Sequence, residues 1–356
     1  MSKLKSLALK LPYPLLNYGR LIRGEIRKRN SCIAVKGANY SFGDAIEGLK
    51  RGYLSEQTII ERFAEGCLGP EGGMLRWAAA FNSYRSIEKS KRKIDLLWAD
   101  GPAPGNFGDW LSPYVIGKLA GRGVELVDDY KPPSHKHIVA IGSLAPAINR
   151  WAHVLGAGAA SVNSNMNPLA EYHSVRGPYT ARVLKKSGGK SVNQFGDLGY
   201  VISKLYTPKF RKIDAEVLLV RHMNHASQPI VLAEGVAELS IEAASPEDIE
   251  NFIDTIFSVG KVVTSAMHCF IVCQSYGIPC ALVNFDSNPH AVYGDGIKYL
   301  DAMAGVGLPA KSPILIPFDF DYRRSDSIIY EGNIGSAIIE EVKNHAQVVI
   351  EKYLEE

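Results

Sequence analysis

Short apolar runs alternate with amphipathic stretches from residue 94 onward, and this alternation constrains the fold more than any other feature of the chain. The predicted strands cover residues 94–98, 124–127, 138–141, 217–220, 262–264 and 281–285. The predicted helices cover residues 110–120, 179–186, 246–259 and 268–276, followed by one long amphipathic helix over 328–356. Strands that alternate with helices form parallel sheets covered on both faces. The pattern therefore predicts an α/β protein.

The chain length predicts two domains. With 356 residues the chain is too long for one ordinary core, and residues 205–215 lack clear periodicity. We expect a first Rossmann-like domain over residues 91–205 and a second over 206–356, with the C-terminal helix packing back. Residues 1–90 are predicted to be a basic, mostly helical accessory region. Phe42-Gly43-Asp44 repeats Phe107-Gly108-Asp109, but a match of three residues arises easily by chance.

Composition excludes several classes of protein. A net charge of +3 is too small to indicate nucleic-acid binding. Five cysteines at irregular spacing argue against a disulfide framework and for a reducing compartment. No run approaches the ~20 apolar residues that span a bilayer, and Lys10, Pro12 and Pro14 interrupt any signal-peptide core. We therefore expect a cytoplasmic protein that binds no nucleic acid.

Residues 1–30 are unusually basic and rich in leucine, with eight Lys or Arg residues against the single acid Glu25. Two interpretations are open. The segment is either a solvated arm or helix packed on the body, or a peripheral contact with the anionic inner face of a membrane.

The loop Asn106–Asp109 follows a predicted strand and precedes a predicted helix. Ligands of open α/β sheets bind at the carboxyl ends of strands, and Gly108 lets the backbone approach a ligand closely. Asp109 then has two interpretations: a reactive carboxylate, or a residue that only caps the helix.

His268 is predicted to lie in the first turn of a helix that follows the strand at residues 262–264. Thr264 and Ser265 occupy the strand–helix junction. Free N–H groups there attract anions, and a histidine can bind an anion or deliver a proton near neutral pH. The alternative is a structural histidine. Cys273 lies within an apolar run and is expected to be buried, so no metal site is predicted.

Arg176 and Arg221 are candidate anion ligands. Arg176 precedes a predicted helix, where its charge opposes the helix dipole. A bidentate grip on carboxylate or phosphate would explain it, and a surface salt bridge is the alternative. Arg221 and His222 follow the strand at residues 217–220, and His225 in the same loop is expected to be exposed.

Four separated patches resemble the polysaccharide pyruvyl transferase family in their order and spacing. They are Gly105-Asn106-Phe107-Gly108-Asp109-Trp110-Leu111; His173-Ser174-Val175-Arg176-Gly177-Pro178 with Gly196-Asp197 downstream; Val220-Arg221-His222; and Val263-Thr264-Ser265-Ala266-Met267-His268 with Tyr276-Gly277-Ile278-Pro279. The resemblance covers about residues 94–305. One departure is Ala266, because many members have Arg two positions before the histidine.

The resemblance implies two Rossmann-like domains facing a cleft, as in GT-B-like enzymes. It also implies transfer of the enolpyruvyl unit of phosphoenolpyruvate, without a further cofactor, to a free or lipid-linked saccharide of an exopolysaccharide or cell-surface glycan. His268 would be the general acid, and Asp109 or His222 the base. The substrate-binding residues would be Asn106, Gly108, Ser174, Arg176, Arg221, Thr264 and Ser265. A nucleotide-sugar glycosyltransferase and a non-catalytic saccharide-binding relative, which Ala266 would suit, are the alternatives.

Overall fold

A computed structural model describes residues 40–63, 70–88, 91–127 and 134–356. The basic segment 1–30 lies outside these residues, so its membrane contact stays a prediction. The first described elements are three helices: α1 (Phe42–Lys50), α2 (Glu56–Arg62) and α3 (Pro70–Arg85). None of the helices in the described ranges is both long and apolar enough to cross a membrane.

The first sheet has five parallel strands in the order β2-β1-β3-β4-β5. They are β1 (Ile94–Leu97), β2 (Val124–Leu126), β3 (His137–Val139), β4 (Ala152–Leu155) and β5 (Glu171–Ser174). Helix α4 (Phe107–Ala120) connects β1 to β2, and α5 (Pro178–Lys186) follows β5.

The second sheet also has five parallel strands, in the order β10-β9-β8-β6-β7. They are β6 (Val217–Val220), β7 (Val236–Glu238), β8 (Val262–Thr264), β9 (Cys280–Phe285) and β10 (Ile314–Ile316). The helices are α6 (Met223–Ala226), α7 (Pro246–Val259), α8 (Met267–Tyr276), α9 (Ile297–Ala304) and α10 (Ser336–Glu355). Two parallel sheets confirm the predicted α/β class.

Local sequence signals explain the best-predicted element, α7. The Ser245 side chain accepts a hydrogen bond from the Asp248 N–H, and the Asp248 side chain accepts one from the Ser245 N–H. Pro246 occupies the first turn, and Gly260 ends the helix in the left-handed conformation at φ 75°. These capping signals are strong and local, so the predicted bounds match the structure.

The sequence pattern missed elements that carry few apolar residues or lie at a sheet edge. Strand β5 reads Glu-Tyr-His-Ser, and the edge strand β10 has three residues. The long C-terminal helix was wrong at its start, because residues Tyr322–Ile328 form a 3₁₀ segment and α10 begins only after Gly335.

The two sheets share one hydrophobic core. Its buried side chains come from both sheets and from the helices between them, for example Leu96, Phe107, Val262 and Ile350. The buried 3₁₀ segment Leu198–Lys204 packs against α4, α8 and α10. In this way the starts of α4 and α8 are held against each other.

Candidate functional site

The start of α4 presents Asp109 without using it as a cap. The cap is Asn106, whose Oδ1 accepts a hydrogen bond of 2.9 Å from the Gly108 N–H. Burial raises the pKa of Asp109 to about 6, although the charges of His268 and Lys298 lower it. Asp109 is therefore a partly buried carboxyl group that titrates near neutral pH.

Gly108 makes room for His268 at the junction of α4 and α8. A Cβ atom built on Gly108 would lie 2.2 Å from His268 Nδ1, far closer than any real contact. The imidazole therefore packs directly on the glycine backbone. Two patches separated by 160 residues of sequence thus meet at this junction.

Three buried polar atoms of α8 and of the segment around Leu198–Lys204 have no hydrogen-bond partner among the described residues: His268 Nε2, Asp197 Oδ2 and the Tyr200 hydroxyl, which interacts electrostatically with Asp197. His268 Nε2 lies 3.8 Å from Asp197 Oδ2, and the Asp197 side chain is fully buried. The other carboxylate oxygen caps the 3₁₀ segment by accepting from the Gly199 N–H at 2.9 Å. Buried polar atoms are normally paired, so these atoms indicate a place for a ligand.

Lys298 at the start of α9 supplies a cation to this site, and sequence analysis missed it. The pKa of Lys298 is lowered to about 8, mainly by burial and also by the charge of Arg176, while the charge of Asp109 acts in the opposite direction. No motif surrounds Lys298 in the sequence, so no local signal could have found it. We refer to His268, Asp197, Tyr200, Asp109, Lys298 and His222 as the His268 cluster.

His222 belongs to the cluster and is neutral at pH 7. Its Nδ1 accepts a hydrogen bond of 3.2 Å from the Asn224 N–H. Burial lowers the pKa of His222 to about 4, with smaller contributions from Lys298, His225 and His268. The expectation that His225 is exposed was wrong: its ring is buried, with Nδ1 2.9 Å from Ser265 Oγ.

Thr264 and Ser265 tie loops together at the carboxyl ends of β6 and β8. Thr264 Oγ1 donates to the Val220 carbonyl at 2.8 Å, and Ser265 Oγ accepts from the His222 N–H at 2.9 Å. The N-cap of α8 is Ala266, which has no side-chain cap. The first N–H groups of α8, the helix that carries His268, consequently have no side-chain cap.

Arg176 has buried protein partners instead of an open face. Its Nε donates to Asp301 Oδ2 at 3.1 Å and its Nη1 to Ser143 Oγ at 3.0 Å. Asp301 Oδ1 also accepts from the N–H groups of Tyr179 and Thr180 at the start of α5. The predicted clash with the helix dipole is offset by this carboxylate. The guanidinium is fully buried, so this geometry favours a structural role over a direct grip on substrate.

Arg221 is likewise committed to protein groups. Its guanidinium makes a bidentate pair with Glu238, with N–O distances of 2.7 and 2.9 Å, and also donates to the carbonyl of His225. Ser174, at the end of β5, lines a cavity of about 160 Å³ beside α10 together with Gln194 and His345. None of the described residues lining that cavity belongs to the His268 cluster. The substrate-binding roles of Arg176, Arg221 and Ser174 stay predictions.

The fold is that of a two-sheet α/β protein, with histidine, aspartate and lysine side chains clustered where α4 meets α8. The family model for polysaccharide pyruvyl transferase matches residues 85–287, and the chain belongs to that family. This confirms the resemblance seen in the sequence. The matched region contains every member of the cluster except Lys298.

One relative is an uncharacterized protein, L143, of Acanthamoeba polyphaga mimivirus. It is 25% identical over 208 residues, which are 57% of this chain and 71% of that protein. No solved structure gives a significant match.

Proposed function

We propose that the protein transfers the pyruvyl unit of phosphoenolpyruvate to two hydroxyl groups of a saccharide. The observation that carries this proposal is the packing of His268 on Gly108, with His268 Nε2 3.8 Å from Asp197 Oδ2 and neither of these two atoms hydrogen bonded. The methylene carbon of phosphoenolpyruvate gains a proton. The C2 carbon of phosphoenolpyruvate then bonds to both sugar oxygens, and phosphate leaves. Of the two hydroxyl protons, one balances the proton delivered to carbon and the other leaves on phosphate.

In this proposal His268 is the general acid and Asp109 the general base. A carboxylate beside an imidazole holds the ring in one orientation, which is the role we give to Asp197, whose Oδ2 lies 3.8 Å from His268 Nε2. Asp109, with a pKa of about 6, is ionised at neutral pH yet basic enough to take a hydroxyl proton. His222, with a pKa of about 4, is the weaker base, so we favour Asp109.

The donor's anionic groups would bind the N-terminus of α8 and Lys298. The first N–H groups of α8 have no side-chain cap, and Lys298 acts electrostatically on Asp109 and His222. A cation there would compensate for Ala266 at the position where many relatives have Arg. The saccharide, lipid-linked or free, would then approach through a GT-B-like cleft between the two Rossmann-like halves.

The test is incubation with phosphoenolpyruvate and a panel of free and lipid-linked glycans, followed by mass spectrometry and a phosphate assay. We expect one glycan class to gain a pyruvate ketal with one phosphate released per ketal. His268→Gln should lower turnover by ~10²-fold or more while keeping its melting temperature, since Gln still donates a hydrogen bond but delivers no proton.

Two outcomes would contradict the proposal. A thermal shift with nucleotide sugars and none with phosphoenolpyruvate would favour a glycosyltransferase. Near-normal turnover of His268→Gln on a confirmed acceptor would remove His268 as the acid.

A further inference from the structure

The paired strands β4 and β5 bring two histidines and a glutamate together, apart from the His268 cluster. His153 lies opposite Glu171 in the parallel register, and His173 follows two residues later on the same face of β5. His153 Nδ1 lies 3.1 Å from His173 Nε2 and 3.7 Å from Glu171 Oε2. His173 Nε2 lies 3.5 Å from Glu171 Oε1.

These three distances fit one face of a metal-coordination tetrahedron. Zinc binds imidazole nitrogen and carboxylate oxygen at about 2.0–2.2 Å, so neighbouring ligand atoms of a tetrahedral site lie about 3.3 Å apart. The observed distances scatter around that value. In the part of the chain that the structure describes, this is the one group of three such side chains whose ligand atoms lie this close.

We propose that His153, Glu171 and His173 bind a divalent metal ion of the zinc class. Two imidazoles and one carboxylate are ligands that zinc accepts readily, with water in the fourth position. His153 is the second residue of β4 and Glu171 the first of β5, whereas the His268 cluster lies at the opposite, carboxyl edge. The ion therefore holds the edge strand β5 to its neighbour and takes no part in transfer.

The C-terminal helix α10 modulates this site. Lys352 Nζ lies 3.9 Å from Glu171 Oε1, so its charge competes with a metal ion for the carboxylate. His345 Nε2 donates to the His173 carbonyl at 3.2 Å, which fixes the backbone of β5 beside the ligand. A metal ion and the Lys352 ammonium group repel each other. Removing this charge should therefore strengthen metal binding, whereas removing a ligand should weaken it.

A hydrogen bond between two neutral imidazoles would also give a nitrogen–nitrogen distance of 3.1 Å, so metal binding has to be measured directly. Full-length protein is stripped with chelator and titrated with zinc alone by calorimetry. Metal content after gel filtration gives the stoichiometry, and cobalt substitution reports tetrahedral coordination by its visible absorption. We expect one ion per chain and a higher melting temperature with zinc, because an ion that binds only the folded state stabilises it.

Four variants separate the site from adventitious binding. His173→Gln should lose the ion and the thermal shift. Glu171→Gln, at a half-exposed position that tolerates the change, should weaken zinc by at least the roughly 10–100-fold seen for outer-shell losses. Lys352→Gln should bind zinc more tightly, and His135→Gln, a change at an exposed histidine outside the group, should bind as the wild type does.

Two results would overturn the proposal. One is equal zinc content and thermal shift in wild type and His173→Gln. The other is no zinc retained by wild type at micromolar concentration, which would leave only the imidazole–imidazole hydrogen bond.

Discussion

The tripeptide Phe-Gly-Asp begins a helix twice in this protein, and its aspartate has a different role in each helix. At α1, Asp44 closes a capping box with Ser41: its carboxylate accepts from the Ser41 N–H at 3.1 Å, and Ser41 Oγ accepts from the Asp44 N–H. At α4, Asn106 supplies the cap and Asp109 is left over. The same three residues therefore give a helix cap in one region and a titratable site group in the other.

The surroundings of the phenylalanine explain the difference. Phe107 is fully buried and stacks on Phe252 of α7 with a ring-centroid distance of 3.9 Å, which clamps the start of α4 against the second half. Phe42 packs edge-on against Phe63 within the N-terminal helices. Because α4 starts between the two halves, its glycine and aspartate face His268. Position in the fold, and not the tripeptide, decides which aspartate is available for chemistry.

Replacing each glycine by alanine should give the largest contrast. In Gly108→Ala the new Cβ would have to displace His268, since it would lie 2.2 Å from Nδ1. We expect turnover on the confirmed acceptor to fall by ~100-fold or more, the scale for losing a positioned proton donor. In Gly43→Ala the new Cβ would lie an ordinary 3.8 Å from Ser41 Oγ, the nearest side-chain atom among the described residues.

Gly43→Ala is the matched control and should keep full turnover. Its stability should be unchanged or up to about 1 kcal/mol higher, because alanine restricts the unfolded chain more than glycine. Equal turnover of the two variants in a steady-state assay would show that the packing of His268 on Gly108 is irrelevant to the reaction.

Replacing each aspartate by asparagine should change stability in opposite directions. The folded-state pKa of Asp109, about 6, lies above the ordinary value near 4. The folded state therefore holds its proton more tightly, and the wild type loses stability as pH rises from about 4 to 6. At about 1.4 kcal/mol per pKa unit, Asp109→Asn should gain about 1–3 kcal/mol at pH 7.

That gain should vanish below pH 4, where both side chains are neutral, and turnover of Asp109→Asn should fall because amide oxygen is a poor base. Asp44→Asn should instead lose about 0.3–1 kcal/mol at pH 7, since a negative charge in the first turn stabilises a helix. Urea unfolding at pH 4 and pH 7 measures both. A loss of stability in Asp109→Asn at pH 7 would contradict the burial of its charge.

How far the sequence could predict this site follows from the range of each signal. His268, Asp109 and His222 were predicted from strand–helix junctions, which are local, and the structure makes them electrostatic neighbours. Arg176 instead pairs with Asp301, which lies 125 residues further along the chain. Lys298 joins the His268 cluster from α9. Such pairings depend on how the two sheets pack, so periodicity and capping signals carry no trace of them.

The smallest contrast concerns the caps themselves. Ser41→Ala removes the acceptor of the Asp44 N–H and should cost about 1 kcal/mol without affecting turnover.

Asn106→Ser keeps an oxygen for the Gly108 N–H and should change stability by less than about 0.5 kcal/mol. It removes the amide Nδ2, whose hydrogen bond among the described residues is a long one of 3.6 Å to Met223 Sδ. Since the cap is preserved, any fall in donor affinity of Asn106→Ser, measured by calorimetry with phosphoenolpyruvate, reports on the amide as a ligand. We expect a fall of a few-fold, the size of one neutral hydrogen bond; unchanged affinity would reduce Asn106 to the role that Ser41 has in α1.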